Sequence, residues 1–215
     1  MPPKPKYTKE EIINAAYGLA REEGIDAVVA RAVGSRLGTS SSPIFSVFEN
    51  MDELKNEVTK KAREYFSGYM RDVFDYTPAF KEYGLRWVRF ALTEQNLYSM
   101  LFLSKAPEGP YGYYFEGAED LLDALACEIM KNFCIEKDDA ERILREMTVH
   151  ANGIASFAIN RGSSVSEDEL SRELSEICIG LVLCARLNNG SFNEPMARAM
   201  AQSALYGVMP VKNKE

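Results

Sequence analysis

The feature that most constrains the fold is the close succession of helix-capping and helix-ending residues within residues 24–54. Asp26 is placed to cap a helix with Val29 on its inner face, and Gly38 is placed to end that helix in a left-handed conformation. Ser40 then follows as the cap of a second helix, barely two turns long. The pattern predicts a helix-turn-helix.

The second of these helices has a distinct inner and outer face. Ile44 and Phe48 are four positions apart, so they share a face and are expected to point inward. Short side chains on the opposite face would let the backbone approach a DNA major groove, which is about 12 Å wide. The side chains left on that face, and predicted to contact DNA, are Ser41, Ser42, Phe45 and Ser46.

Helical patterns continue along the rest of the chain, and no strand pattern interrupts them. Thr8 with Glu11 predicts a first helix by a capping box, and Asn50 with Glu53 predicts the start of a long helix. We therefore expect an all-α protein of about ten helices, with a head over residues 1–50 and a body over 51–215. The further helices are predicted at about 80–91, 97–103, 117–134, 138–160, 167–188 and 194–207.

Composition narrows the class of protein. With 46% hydrophobic residues the chain can bury a core, whereas its longest apolar run, Ile177 to Ala185, falls short of the roughly 20 residues of a membrane span. We expect a soluble cytoplasmic protein without a membrane partner. The four cysteines form no Cys-x-x-Cys pair and are expected to be buried free thiols, so no metal and no cofactor are predicted.

Charge is distributed unevenly along the chain. The net charge of −7 divides into +1 over residues 1–63, from ten basic and nine acidic residues, and −8 over 64–215, from fifteen basic and twenty-three acidic residues. A slightly basic N-terminal region on an acidic body can still present cations to phosphates.

With these elements in order, the chain resembles the tetracycline repressor (TetR) family of bacterial transcription regulators. The head carries the resemblance, and it extends more loosely over the runs 87–94 and 150–155. The residues that match the pattern of the family's head are Arg31, Gly38, Ser40, Ile44, Phe45, Phe48, Glu53 and Leu54.

The resemblance implies a repressor that a small molecule releases from a DNA operator. Three residues depart from the types that usually contact the DNA backbone in the family: Val29 replaces Thr, Phe45 replaces Tyr and Met51 replaces Lys. Fewer phosphate contacts imply weaker or conditional DNA binding. The DNA-binding residues expected beside those of the second helix are Ser40, Arg31, Lys55, Lys6 and Lys9, with Lys4 and Arg36 as further phosphate candidates.

Aromatic residues are concentrated in one part of the body, since fifteen of the 23 fall within residues 65–115. Any one of them is expected in ordinary packing, but tyrosines with polar tips also suit a cavity for an apolar or aromatic effector. His150, the single histidine, is a further candidate for that cavity, although a packing role is the favoured explanation for it. The predicted effector-binding residues are Tyr65, Tyr69, Trp87, Phe90, Phe102, Tyr113, Tyr114 and His150.

Two helices of the body are expected to form a homodimer. The helix at 138–160 carries small residues that permit close approach, and the helix at 167–188 becomes apolar on all sides after Ile177. Pairing with a second copy would give a four-helix bundle and place two heads one DNA turn apart. The predicted interface residues are Ala151, Gly153, Ile154, Ala155, Ala158, Ile177, Leu181 and Cys184.

Two other classes of protein stay open at this stage. A helical ligand-binding or protein-interaction dimer with decayed DNA binding accounts for Val29, Phe45 and Met51. An enzyme would need a nucleophile and a base, and Cys178 with His150 is the available pair; distant residues on separate helices form no catalytic motif, so no catalytic residue is predicted.

Overall fold

A computed structural model describes residues 7–103, 118–161 and 166–188, and within these ranges the regular structure is entirely helical, as predicted. The predicted helix at 194–207 lies outside the described residues. The eight α-helices of the described ranges are α1 Lys9–Glu23, α2 Ala30–Arg36, α3 Met51–Arg71, α4 Ala79–Thr93, α5 Gln95–Tyr98, α6 Glu119–Phe133, α7 Lys137–Arg161 and α8 Glu167–Asn188.

Helix α1 begins and ends as its sequence predicts. The Glu11 amide donates to the Thr8 hydroxyl oxygen at 3.2 Å, and the Thr8 amide donates to the Glu11 carboxylate at 2.7 Å. This capping box satisfies amides that have no intrahelical partner. Gly24 ends the helix with a φ of 91°.

Helix α2 is shorter than predicted, and its start was placed wrongly. Asp26 does not cap it, because a 3-10 turn over Ile25–Ala27 comes first and α2 begins only at Ala30. Val29 occupies the cap position, where its hydrocarbon side chain accepts no hydrogen bond, and it is 49% exposed. The expectation that Val29 faces inward is therefore wrong, and Val28 fills the core instead.

Residues 40–48 do not form the predicted two-turn helix. Their regular structure is limited to a 3-10 turn over Ile44–Ser46, and no side chain caps it, so Ser40 is not a helix cap. Pro43 contributes no N–H and serines compete for backbone hydrogen bonds, which disfavours a helix of this length. The inward pair was predicted correctly, since Ile44 is 0% and Phe48 1% exposed.

Helix α3 connects the N-terminal elements to the body. Asn50 caps it by accepting a hydrogen bond from the Glu53 amide at 2.9 Å, while the Glu53 carboxylate accepts from the amide of Glu49. Its 21 residues extend over about 31 Å, so α3 is longer than either α1 or α2. The buried stripe of α3 is Leu54, Val58, Ala62, Phe66 and Met70.

Helix α4 is the centre of the body, with α6, α7 and α8 packed around it. Most of its side chains are buried, including the carboxylate-bearing Glu82. Glu82 accepts hydrogen bonds from Arg86 at 3.0 Å and from Arg89 at 2.8 Å, which satisfies a charge that would otherwise be costly to bury. Arg89 also pairs with Glu167, so this cluster joins α4 to the start of α8.

None of the described helices combines the length and the apolar character that crossing a membrane requires.

Candidate nucleic-acid interface and effector site

The head (residues 7–50) ends in a segment that we call the tip turn, residues 38–48. It follows α2 so closely that a Cβ on Gly34 would lie 2.8 Å from the carbonyl oxygen of Ser40, a distance that real Cβ atoms do not adopt. Gly38 has a φ of 68°, the left-handed conformation predicted for it. These two glycines allow the chain to reverse sharply and bring the tip turn against α2.

Most of the side chains predicted to contact DNA reach the surface of the head. Phe45 is 51% exposed although its neighbours Ile44 and Phe48 are buried. The Ser46 hydroxyl donates to the Pro43 carbonyl oxygen at 2.6 Å, so its proton is already engaged. Arg31, Ser40, Ser42 and Ser46 are exposed, Ser41 and Lys55 are half-buried, and Lys6 lies outside the described residues.

Two of the basic residues considered for phosphate contact are already paired. Lys9 contacts Glu57 on α3 at 2.6 Å, and the Arg36 guanidinium forms two hydrogen bonds to Glu22 at 2.6 and 2.7 Å. These hydrogen bonds raise the pKa of Lys9 and Arg36 and lower the pKa of both partner carboxyls. Arg31 and Lys55 have no ion pair among the described residues, so they are the cations best placed for phosphates.

Five aromatic residues of the body form one packed group, which we call the aromatic cluster. Phe66 lies at its centre, with its ring centroid 5.2 Å from Trp87, 4.8 Å from Phe90 and 4.9 Å from Phe102. Edge-to-face and tilted contacts at these distances stabilise aromatic groups beyond the burial of their area. Tyr98 completes the cluster, 5.1 Å from Phe102. The sequence prediction named Trp87, Phe90 and Phe102 but missed Phe66 and Tyr98.

A chain of polar groups crosses the aromatic cluster. The Trp87 indole N–H donates to the Tyr98 hydroxyl at 3.3 Å, and that hydroxyl donates to the side-chain oxygen of Asn152 on α7. Trp87 and Tyr98 are fully buried, so these bonds satisfy polar groups that water does not reach. These hydrogen bonds tie α4, α5 and α7 together.

The remaining predicted effector residues lie at the edge of the cluster or beyond it. Tyr65 is 38% exposed and is not on the inner stripe of α3, where Phe66 takes its place, and Tyr69 is half-buried 5.5 Å from Phe90. His150 lies 3.1 Å from Glu173 of α8, so it pairs two helices. Tyr113 and Tyr114 fall outside the described residues.

A polar joint between head and body, which we call the clasp, was not predicted. Asn96 donates to the carbonyl oxygens of Arg21 and Glu22 at 3.0 and 2.9 Å, satisfying acceptors at the C-terminal end of α1. Glu94 accepts from Arg21 at 2.8 Å and from the Tyr65 hydroxyl at 3.1 Å, and hydrogen bonding to Glu94 raises the pKa of Arg21. The clasp could not be predicted from the sequence, because its residues are more than seventy positions apart and no local pattern relates α1 to α5.

The alanines predicted to form a dimer interface are buried within the single chain. Ala151 and Ala155 are 0% and Ala158 3% exposed, because this side of α7 packs on the chain's own core. With almost no exposed surface of their own, these three alanines pack within the chain, where α7 contacts α4, α6 and α8, and the homodimer stays a prediction. The other predicted interface residues reach the surface at least in part, with Ile177 and Cys184 exposed and Gly153, Ile154 and Leu181 half-buried.

The cysteines also differ from prediction. Three of them, Cys127, Cys134 and Cys184, are exposed, and only Cys178 is buried. Burial raises the pKa of the Cys178 thiol to about 11, so it stays protonated and unreactive at neutral pH. In the described part of the chain, the structure brings together no group of three or more His, Cys, Asp or Glu side chains suited to a metal ion.

Comparison with known proteins gives no identification, since neither protein-family models nor curated proteins match the chain.

Proposed function

We propose that the chain is a DNA-binding transcription regulator that responds to a small molecule, most simply a repressor, as its resemblance to the tetracycline repressor family implies. The observation that carries the proposal is the surface of the tip turn, where Phe45 and the serines Ser40, Ser42 and Ser46 are exposed, while Arg31 of α2 and Lys55 of α3 form no ion pair among the described residues. Arg, Lys and Ser side chains are types that contact phosphates and base edges, and a phenyl ring can contact an apolar group of a base.

The clasp and the aromatic cluster supply a route for regulation. Tyr98 belongs to the cluster and lies two residues from Asn96, which is bound to the end of α1. An effector that displaces Tyr98 would therefore shift the segment that holds the head. Two conformations with different effector affinity are required, and the one with fewer DNA contacts would be favoured by the effector.

Dimerisation through the outer faces of α7 and α8 is part of the proposal. Although the alanines of α7 face inward, Ile177, Ile179 and Leu183 of α8 are 36%, 55% and 41% exposed, and a Cβ on Gly153 or Gly180 would meet nothing within 4 Å. An apolar helix surface of this kind is typical of an interface between copies.

Light scattering tests the dimer. The native chain should have twice the 24.1 kDa mass of one protomer, and Gly153→Leu should shift it toward the monomer, because the branched side chain fills space that a partner helix would occupy. Gly68→Leu on α3 is the matched control, since its Cβ position is also open, and it should stay dimeric. A native mass of one chain at all concentrations would contradict the interface.

DNA binding is tested by fluorescence anisotropy on duplexes from beside the chain's own gene. Arg31 and Lys55 of two protomers would neutralise four phosphates, so affinity should fall about a hundredfold between 50 and 200 mM salt. Ser42→Asp should abolish binding by repelling phosphates, whereas Asn132→Asp, an exposed change of equal charge on α6, should not.

A ligand-binding or protein-interaction dimer is the second candidate. The observation that favours it is the pairing of Lys9 with Glu57 and of Arg36 with Glu22, which neutralises two cations of the head. If the native chain is a folded dimer and no duplex binds it in a salt-dependent manner, this second function replaces the first.

A further inference from the structure

The tip turn presents a hydrocarbon ring where a DNA-contacting surface ordinarily presents charge. No charged residue occurs between Gly38 and Phe48. Phe45 is 51% exposed, and its position is fixed because Ile44 before it and Phe48 after it are anchored in the core. The ring cannot turn inward without pulling one of these anchors out, so the fold maintains its exposure.

The backbone of the tip turn needs nothing from the Phe45 side chain. The Ile44 amide donates to the Ser41 carbonyl oxygen at 3.1 Å, and the Phe48 amide donates to the Ile44 carbonyl oxygen at 2.9 Å. Ser46 closes the turn through its bond to Pro43. Since these bonds already stabilise the turn, the exposed ring contributes little to folding and is available for a contact outside the chain.

We infer that Phe45 contacts the C5-methyl group of a thymine in the DNA major groove, and so makes that thymine a specificity determinant in each half-site. The inference rests on the proposed DNA-binding function. Thymine is the base whose major-groove edge carries an apolar group, and a phenyl ring is among the side chains that match it. The phenyl ring has no donor to offer a phosphate oxygen. Against the ring, the amino group of cytosine or adenine would lose its hydration without gaining a hydrogen bond.

Uracil substitution isolates this one methyl group. In the tightest-binding duplex from beside the chain's own gene, each thymine is replaced in turn by deoxyuridine, which keeps every hydrogen-bonding group and removes only the methyl. At one thymine in each half-site, this replacement should lower the affinity of the native chain about three- to fivefold, which is the loss expected when one buried methyl group returns to water.

Phe45→Ala identifies the side chain responsible. In this variant the same uracil substitution should change affinity by less than about 1.5-fold, because the group that contacts the methyl is absent. Replacing cytosine by 5-methylcytosine at the equivalent position of a T-to-C duplex should restore part of the native affinity. Val29→Ala, which truncates the other exposed apolar side chain of the head, is the matched control and should keep the full uracil penalty.

The outcomes separate this inference from the proposed function. If salt-dependent DNA binding occurs but no single uracil lowers native affinity, or if Phe45→Ala keeps the penalty, Phe45 does not contact a thymine methyl although the chain binds DNA. If Phe45→Ala weakens binding equally on all sequences, the ring lies against the DNA backbone. If no duplex binds at all, both the function and the inference are overturned.

Discussion

The tip turn and the aromatic cluster use the same class of side chain in opposite ways. Phe45 is half exposed on a short turn, whereas Phe66, Trp87 and Phe90 are fully buried with their rings about 5 Å apart. The buried rings stabilise the body through their mutual packing. The exposed ring lies outside the buried core, so under the proposed function its role is DNA recognition.

The head contacts the body through the clasp and through the packing of α1 against α3. The clasp holds the C-terminal end of α1 against α5 with side-chain hydrogen bonds, and the residues of α5 continue directly into Phe102 of the cluster through a π-helical turn at Ser99–Leu103. One continuous segment therefore joins the clasp to the aromatic cluster.

The largest difference in the free energy of unfolding should come from truncating one aromatic residue in the aromatic cluster and one in the tip turn. Trp87→Ala should lower the free energy of unfolding by about 3–5 kcal/mol, because it removes a fully buried ring from the centre of α4. Phe45→Ala should change that free energy by less than about 0.5 kcal/mol. Urea denaturation of both variants checks the comparison, and equal losses would mean that Phe45 has a structural role.

The next largest difference in the free energy of unfolding should lie between a buried ion pair of the body and an exposed ion pair between α1 and α3. Glu82→Gln should destabilise the chain by about 3 kcal/mol, because it removes the buried carboxylate that pairs with Arg86 and Arg89. Glu57→Gln in the exposed pair with Lys9 should have little effect, since solvent screens it. Chemical denaturation in low salt would reveal the difference; a large loss in Glu57→Gln would show that the head depends on its surface pairs.

A smaller change, which stabilises the fold, is expected from a substitution of Val29. Its φ of −118° and ψ of 151° suit a helix cap, so Val29→Thr should supply the missing hydrogen bond to α2 and raise the free energy of unfolding by about 1 kcal/mol. Val29→Ala is the control and should give no gain. Thermal melts of the two variants measure this, and an equal response would exclude capping as the cause.

Acid should weaken the head through its carboxylates. The Thr8 amide and hydroxyl lower the pKa of Glu11, and hydrogen bonding to Arg36 lowers the pKa of Glu22. A pKa that is lower in the folded state gives stability that is present above the unfolded value of about 4.3 and lost as pH falls through the folded value. Unfolding measured from pH 6 to 3 should therefore show a decline that Glu22→Gln reduces and Glu10→Gln does not.

Sequence patterns predicted the parts of the fold that local chemistry determines. The Thr8–Glu11 capping box and the left-handed Gly38 were both correct, because each depends on residues a few positions apart. Helix periodicity likewise placed α3, α4, α6, α7 and α8.

Other features depended on tertiary packing, which no local pattern specifies. The alanines of α7 suit close approach to any helix, and sequence alone does not say that they are buried in the core of the same chain. The clasp joins residues more than seventy positions apart. At the tip turn, helix periodicity identified the buried pair correctly, but Pro43 and the serines reduced the helix to a single 3-10 turn.

Selection from a pool of randomised DNA duplexes tests the central claim most directly, which is that two heads present their tip turns to DNA together. The account predicts that the native chain enriches a palindromic sequence with half-sites centred about 10–10.5 base pairs apart, the spacing of adjacent major grooves on one face of the duplex. It also predicts a thymine at a fixed place in each half-site. Enrichment of no common sequence by the folded protein would contradict the account.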